Sequence, residues 1–281
     1  MTNSSNLILV TGATGKLGNI LTPSLLDAGH RVRVLTRQPE RARALFGDRV
    51  EIVQGDFARP ETLPAAVAGV WRALLLSPIS EHMAAEQIAL VDAAKAAGVQ
   101  RIVKISGSDW TVGTSFSGDA HKQIEDHLAA SGLETVSIRP NAWLQVSLGT
   151  TVDQIVRGEP LYARHDAKVG FVDVRDIADV AINQLLADKV APGPLVITGP
   201  DALSTADIAG LATRISGKPI GLTTTPPAAA APHGDGFEAK VVQQFFVIIG
   251  KGGAAGLTGT VSAVLGRPPR SVAAFLSERL A

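Results

Sequence analysis

The stretch Leu7–Gly18, LILVTGATGKLG, limits what this chain can fold into more than any other segment. A strand-like apolar run, Leu7–Val10, stops at glycines spaced three apart: Gly12, Gly15 and Gly18. A helical run follows, in which Leu17, Ile20, Leu21, Ser24, Leu25 and Ala28 fall near one face. Strand, glycine turn and helix start is the order that a diphosphate site requires. Glycine permits the tight turn and the close backbone approach, and N–H groups at the helix N-terminus face the anion. The spacing is G-x-x-G-x-x-G, not the G-x-G-x-x-G of the usual dinucleotide fingerprint. An ordinary strand–helix turn does not need three glycines, so nucleotide binding is the expectation. The candidate contacts in the turn are Thr11, Gly12, Thr14, Gly15, Lys16, Leu17 and Gly18.

The rest of the first half alternates strand and helix patterns. Strands are expected at Arg31–Thr36, Val50–Val53, Ala73–Leu76, Arg101–Ile105 and Thr135–Ile138. Helices are expected at Glu81–Ala97, with Ala84, Ile88 and Val91 on one face and Gly98 as its stop, and at about Ala120–Ala130. Such repeated units imply an α/β fold, a Rossmann-type doubly wound parallel sheet with ligands at the carboxyl ends of its strands. After Asn141 the pattern loosens. Phe171–Val174 is strand-like and runs into a helix at Ile177–Leu186, with Asp176 placed to cap it. Leu195–Thr198 reads as a strand, Ser204–Ser216 as a helix and Thr223–Gly236 as a Pro/Ala-rich loop. Helices near Phe237–Ile249 and Val272–Leu280 follow. The expected division is a nucleotide-binding domain over residues 1–145, completed by about 170–200, and a smaller, mostly helical C-terminal substrate domain over 146–169 and 201–281.

Composition removes several classes. Formal net charge is zero and no long basic run occurs, so no nucleic-acid partner is expected. Cysteine is absent, which excludes disulfides and thiol nucleophiles. The longest late apolar run, Phe245–Ile249, is far short of the ~20 residues that span a bilayer, so no membrane partner is expected. The polar start, MTNSSN, reads as the beginning of a cytoplasmic chain without a signal peptide.

The cofactor can be narrowed further. A NAD site usually carries Asp or Glu at the end of the second strand to hold the ribose 2′-OH. Here that place reads Thr36-Arg37. A guanidinium there suits the 2′-phosphate of NADP, and Lys16 adds a second positive charge. Asp56, beside Phe57, can accept from the adenine amino group or serve only a turn or helix cap. Ser77-Pro78 and Ser106-Gly107 end two strands that flank the expected nicotinamide position. The Tyr-x-x-x-Lys pair of the common short-chain dehydrogenases is excluded, because the sole tyrosine, Tyr162, is followed four residues on by Asp166.

On these residues the chain resembles the NmrA-like family of atypical short-chain dehydrogenases. It is most similar to the NAD(P)H:quinone and triphenylmethane-dye reductases, and more distantly to isoflavone-type and phenylcoumaran reductases. The carriers are VTGATGKLG, the block His121–Gln145 (HKQIEDHLAASGLETVSIRPNAWLQ), VDVRDIADVA at Val172–Ala181 and LGRPPRSVAAFL near the end. The resemblance covers nearly the whole chain. It implies a Rossmann domain with a small C-terminal substrate domain and a nicotinamide cofactor without flavin. NADP(H) is preferred, NAD(H) is allowed, and no flavin or metal motif is visible.

Isoflavone-type relatives place a catalytic Lys ten residues before the small-Gly pair that here is Ser131-Gly132. Counting back from Ser131 gives His121, as in the quinone-reductase branch, with Glu125 four residues on. Lys122 cannot replace it without a rotation of about 100° around the helix. Imidazole with a pKa near 6.5 can donate a proton near neutrality, or His121 can simply pair with Glu125 at the helix start. Ser108, Trp110, Phe116, His121, Asn141 and Trp143 are the candidate substrate contacts. Three of the chain's few aromatics near the expected nicotinamide suggest a planar aromatic or quinone-type acceptor. The Ala/Gly/Arg-rich composition suits a GC-rich genome, in which an aromatic polyketide intermediate is one such acceptor; its reduced form could then be hydroxylated with O₂. The rival reading is a non-catalytic NADP-binding redox sensor of the same family. A monomer or a homodimer fits either reading.

Overall fold

The computed structural model describes residues 6–226 and 236–280. Most of MTNSSN and of the Thr223–Gly236 loop therefore lies outside the described residues. The chain divides into two compact units: residues 1–107, 112–139 and 177–195 form the first, and 108–111, 140–176 and 196–281 the second. Relative to the sequence reading, the main break falls at Arg139/Pro140 instead of after residue 145, and residues 170–176 belong to the second unit.

The elements, in chain order, are β1 (Leu7–Thr11), α1 (Gly18–Asp27), β2 (Arg31–Thr36), α2 (Pro39–Phe46), β3 (Glu51–Gln54), α3 (Leu63–Val67), β4 (Arg72–Leu75), α4 (Met83–Ala96), β5 (Arg101–Ile105), α5 (Phe116–Ala130) and β6 (Glu134–Pro140). Then come α6 (Leu144–Ser147), α7 (Gly149–Val156), β7 (Leu161–Tyr162), β8 (Val169–Gly170), α8 (Val174–Leu186), β9 (Leu195–Ile197), β10 (Ala202–Leu203), α9 (Thr205–Ser216), β11 (Leu222–Thr223), α10 (Phe237–Gly250), α11 (Thr260–Leu265) and α12 (Val272–Leu280).

The main sheet has seven strands in the order β3-β2-β1-β4-β5-β6-β9. The pairings of β1 with β2 and β4, of β2 with β3, and of β5 with β4 and β6 are all parallel. Strand order reverses between β1 and β4, and that is where a crevice opens at the carboxyl ends of a doubly wound sheet. β1, β4 and β5 are buried along their whole length, as a sheet covered on both faces demands. One side of the core packs Leu9, Leu63, Leu75, Leu90, Ile102 and Ile124. At the amino ends of β4 and β5, Arg72 and Arg101 are buried. Arg101 donates to the carbonyls of Gln184, Ala187 and Asp188 at the end of α8, a favourable place for a cation, and to the Glu134 carboxylate.

The second unit has two short two-stranded sheets, β10-β8 and β11-β7, beneath helices. Its core gathers Leu144, Val152, Phe171, Ile208, Phe275 and Leu276. The expected strand at Phe171–Val174 does not form as read. Only Val172 makes a bridge, to Trp143, and its N–H and carbonyl pair with Ala142 and Leu144. With those groups satisfied, α8 starts early, at Val174. Asp173, not Asp176, accepts the Arg175 N–H at its start. Asp176 is fully buried and instead binds Arg267 (2.8 Å), the Arg270 guanidinium and the Arg270 N–H (2.7 Å).

α5 also starts earlier than its periodicity suggests. Ser115 accepts the Gly118 N–H at 3.0 Å and caps it, so Phe116 is helical and His121 lies inside the helix instead of at its start. The buried face of α4 is Met83, Gln87, Leu90, Val91 and Ala94, with Ala84 and Ile88 at its flank. On α1 the buried face is Leu21 and Leu25, with Leu17 just before it, while Ser24 and Ala28 are exposed. No described helix is long and apolar enough to cross a membrane.

Candidate active site

The glycine turn lies between the carboxyl end of β1 and α1. Gly12 has φ +67°, a left-handed conformation that glycine adopts without strain, and its carbonyl accepts the Gly15 N–H at 3.0 Å. A Cβ on Gly18 would lie 2.3 Å from the Ala13 Cα, so only glycine lets α1 approach this closely. The turn is thus a backbone cradle at a helix start, a geometry that fits a dinucleotide diphosphate. Two turn candidates face inward. The Thr11 hydroxyl is fully buried and bonded to the Leu74 and Leu76 carbonyls, and the Leu17 side chain is in the core. Both can meet a ligand only through the backbone.

Arg37 and Lys16 are exposed, as a phosphate-binding pair must be. Sequence reasoning missed Arg41 on α2, whose guanidinium reaches the Thr14 carbonyl at 3.2 Å and so joins α2 to the turn. Asp56 makes the Asx turn that stood as its alternative, accepting the Ala58 N–H at 3.1 Å. Phe57 packs against the core.

Farther along the same sheet edge, one polar group joins the end of β5 to α5 and β6, and a second joins β5 to α4 and the segment after β4. Ser106 donates to Glu125 at 2.6 Å, and Arg139 holds the same carboxylate through two nitrogens. The expected His121–Glu125 pair therefore does not form, because Glu125 is taken by Ser106 and Arg139. His121 is buried, and its Nδ1 has no hydrogen-bond partner among the described residues. Burial, together with the positive charges of Lys104 and Arg139, pushes the imidazole well below its usual 6.5. An imidazolium acid near neutrality, the role expected from an ordinary pKa, is not what this environment supports. The residue is a neutral imidazole with an unsatisfied ring nitrogen. Lys104 and Gln87, also unread in the sequence, are buried in a second hydrogen-bonded group, which runs on to Ser77. The available signals were a lone cation inside the apolar run of β5 and a polar residue on the apolar face of α4.

Ser108, Trp110, Asn141 and Trp143 belong to the second unit, whereas Phe116, on α5 of the first, is 54% exposed. Ser108 donates to the Pro140 carbonyl. Asn141 accepts from the Trp110 indole (2.7 Å) and the Ala142 N–H, and donates to the Ala254 carbonyl. Its carboxamide braces the second unit through these bonds. Trp110 meets the Phe245 ring edge-on at 5.5 Å.

The pattern of the NmrA-like family matches residues 4–262. The chain belongs to the NmrA-like family. Over 280 residues it is 30% identical to an NAD(P)H azoreductase of Xenophilus azovorans, covering 96% of each chain. The NADPH-dependent quinone oxidoreductase of Escherichia coli, solved with NADPH, superposes with a TM-score of 0.84 at 26% identity, covering 98% of this chain and all of that one. The triphenylmethane reductase of Citrobacter sp., solved with NADP(H), shares the fold at 19% identity and a TM-score of 0.84, over 98% of this chain and 99% of that one. The protein is thereby an NAD(P)H-dependent oxidoreductase of this family.

Proposed function

We propose that the protein reduces a planar quinone- or azo-type acceptor with NADPH, without flavin or metal. The observation that carries this reading is the Gly12–Gly18 cradle, which has Arg37 and Arg41 beside it and no carboxylate at the end of β2. The full-length likeness to an azoreductase and to an NADPH-bound quinone oxidoreductase supports the acceptor class. The turn holds the diphosphate through backbone N–H groups, and Arg37 with Arg41 meets the 2′-phosphate. NADPH, when bound, supplies a hydride. Neutral His121 offers a hydrogen bond to the acceptor through Nε2, the ring nitrogen that is not sealed from the surface, and solvent supplies the proton that completes the hydroquinone. A buried neutral imidazole positions an oxygen; it does not acidify it.

The test is NADPH oxidation by the purified protein with a panel of benzoquinones, polycyclic quinones and azo dyes. The preparation should be colourless before NADPH is added and active without added metal. Arg37→Ala or Arg41→Ala should weaken NADPH binding roughly 10-fold, the order of one charge-assisted hydrogen bond, and leave NADH binding unchanged. A bound flavin, or equal loss for both cofactors, would sink the reading. Tight NADPH binding without turnover of any acceptor would make the protein a redox sensor instead.

A further inference from the structure

We propose that Lys104 and Gln87 are positioning residues that hold the Ser77 hydroxyl as an outward hydrogen-bond donor for the carboxamide end of the nicotinamide; this rests on the cofactor reading above. Lys104 occupies the fourth position of β5, paired in register with Leu75 and Ser137. Its side chain is fully buried, and Gln87 is 1% exposed. The Lys104 Nζ donates to Gln87 Oε1 at 2.9 Å and to the Ile105 carbonyl at 3.2 Å. Gln87 Nε2 in turn donates to Ser77 Oγ at 2.8 Å.

The direction of this chain follows from its donors. The ammonium form offers only protons, and with Nζ donating to Gln87 the amide oxygen faces Lys104 and the amide nitrogen faces Ser77. Ser77 Oγ therefore accepts from inside the protein, and its own proton is left for a partner elsewhere. That proton now rests on the Pro78 carbonyl at 3.2 Å, long for an O–H···O bond and easily exchanged for a ligand oxygen. Ser77 lies two residues past the carboxyl end of β4 (Arg72–Leu75), one of the two strands between which the strand order reverses.

The arrangement is expensive for the fold. An apolar residue at position 104, like its neighbours Ile102, Val103 and Ile105, would bury at less cost than a lysine. Among the described residues, no carboxylate contacts Nζ. Glu125 acts on it only through space, being held by Ser106 and Arg139. Burial accordingly lowers the amine to about 7. A buried lysine kept without an ion-pair partner, and spent on orienting one amide, is a device for the site instead of the core.

The experiment is a double-mutant cycle read by NADPH titration calorimetry, with the melting temperature of the ligand-free protein as control. Ser77→Ala should weaken NADPH about 10-fold, as for one lost hydrogen bond. Lys104→Met should cause a similar loss with a melting temperature no lower than wild type, and no further loss on the Ser77→Ala background. Gln87→Leu should behave in the same way. The Lys104→Met/Gln87→Leu pair removes both buried partners together and stands in if either single variant is unstable. Losses that multiply, or wild-type affinity in Lys104→Met, would overturn the inference while leaving NADPH binding itself intact. Failure of the paired variant to fold would make the network part of the core and also overturn it. A wild-type protein that does not bind NADPH would remove the cofactor reading as well.

Discussion

The two units solve the same problem by different means. The first is organised by a sheet whose apolar layers exclude water, and its polar groups collect at the strand ends, where a ligand can use them. The second has only two-stranded sheets, and much of its chain is tied by buried carboxylates. Asp176 holds Arg267 and Arg270, and Asp173 holds Arg175, which also reaches Glu278. Periodic packing needs only neighbours in sequence to agree. Charge clamps need residues about ninety positions apart to meet, so they carry more of the fold in fewer atoms.

That contrast can be broken at both ends. In the first unit, Gly18→Ala should be the most damaging single change. Its Cβ overlaps the Ala13 backbone, and a displaced α1 should cost about 3 kcal/mol and abolish NADPH binding. Calorimetric unfolding together with cofactor titration would check both effects; a mild loss of stability with intact binding would contradict the close-approach argument. In the second unit, Asp176→Ala should cost about 2 kcal/mol. This lies below the range for a fully buried pair because both arginines reach solvent. Hydrogen exchange should show the loss around α8 and the segment 267–276 before the sheet responds.

Acid should separate the units by pH. The folded His121 resists protonation, whereas the unfolded one titrates near 6.5, so the unfolded state binds more protons once pH falls below about 6.5. Stability should therefore decline on acidification at up to about 1.4 kcal/mol per pH unit, and His121→Asn should flatten that slope. Asp173 works in a lower window. Burial alone would raise its carboxyl, but the Arg175 hydrogen bonds, side chain and backbone, hold it below its usual 3.8. Its contribution is complete above about pH 4 and is lost only as pH falls further. Exchange resolved by segment should thus show the α5 region loosening before the start of α8. The reverse order would defeat the comparison. The smallest effect is expected for Ser115→Ala, about 1 kcal/mol for a lost N-cap, with fraying confined to the first turn of α5.

Sequence legibility follows the same division. β1, β2 and β5 are read almost to the residue, because their apolar positions report burial directly, whereas on α1 the expected face is right at Leu17, Leu21 and Leu25 but not at Ser24 and Ala28. α9 is legible for another local reason: Ser204 and Asp207 form a capping box three residues apart. The start of α5 is masked by the Gly118 in its first turn and by the lack of Glu or Gln at the box position. Asp176 reads as a helix cap in the sequence, and only the arrival of Arg267 and Arg270 gives it another role and leaves the start of α8 to Asp173. His121 is found by counting along a helix, yet its neutrality is invisible there, since it depends first on burial and then on Lys104 from β5 and Arg139 from β6. Position along the chain singles out a candidate residue; the company it keeps decides its protonation.

The buried Arg101 has a consequence for how the chain is made. Its guanidinium is satisfied by carbonyls 83 to 87 residues downstream. At a translation rate of roughly 5–20 residues per second, β5 leaves the ribosome roughly 4–17 s before those acceptors exist. Through that interval the cation has Glu134, 33 residues downstream, but none of its carbonyl acceptors, so the amino end of β5 cannot seal while the nascent chain is still short of α8. The nucleotide-binding half, although encoded first, is closed late, and a ribosome stalled before residue 184 would carry an open sheet edge for chaperones to guard.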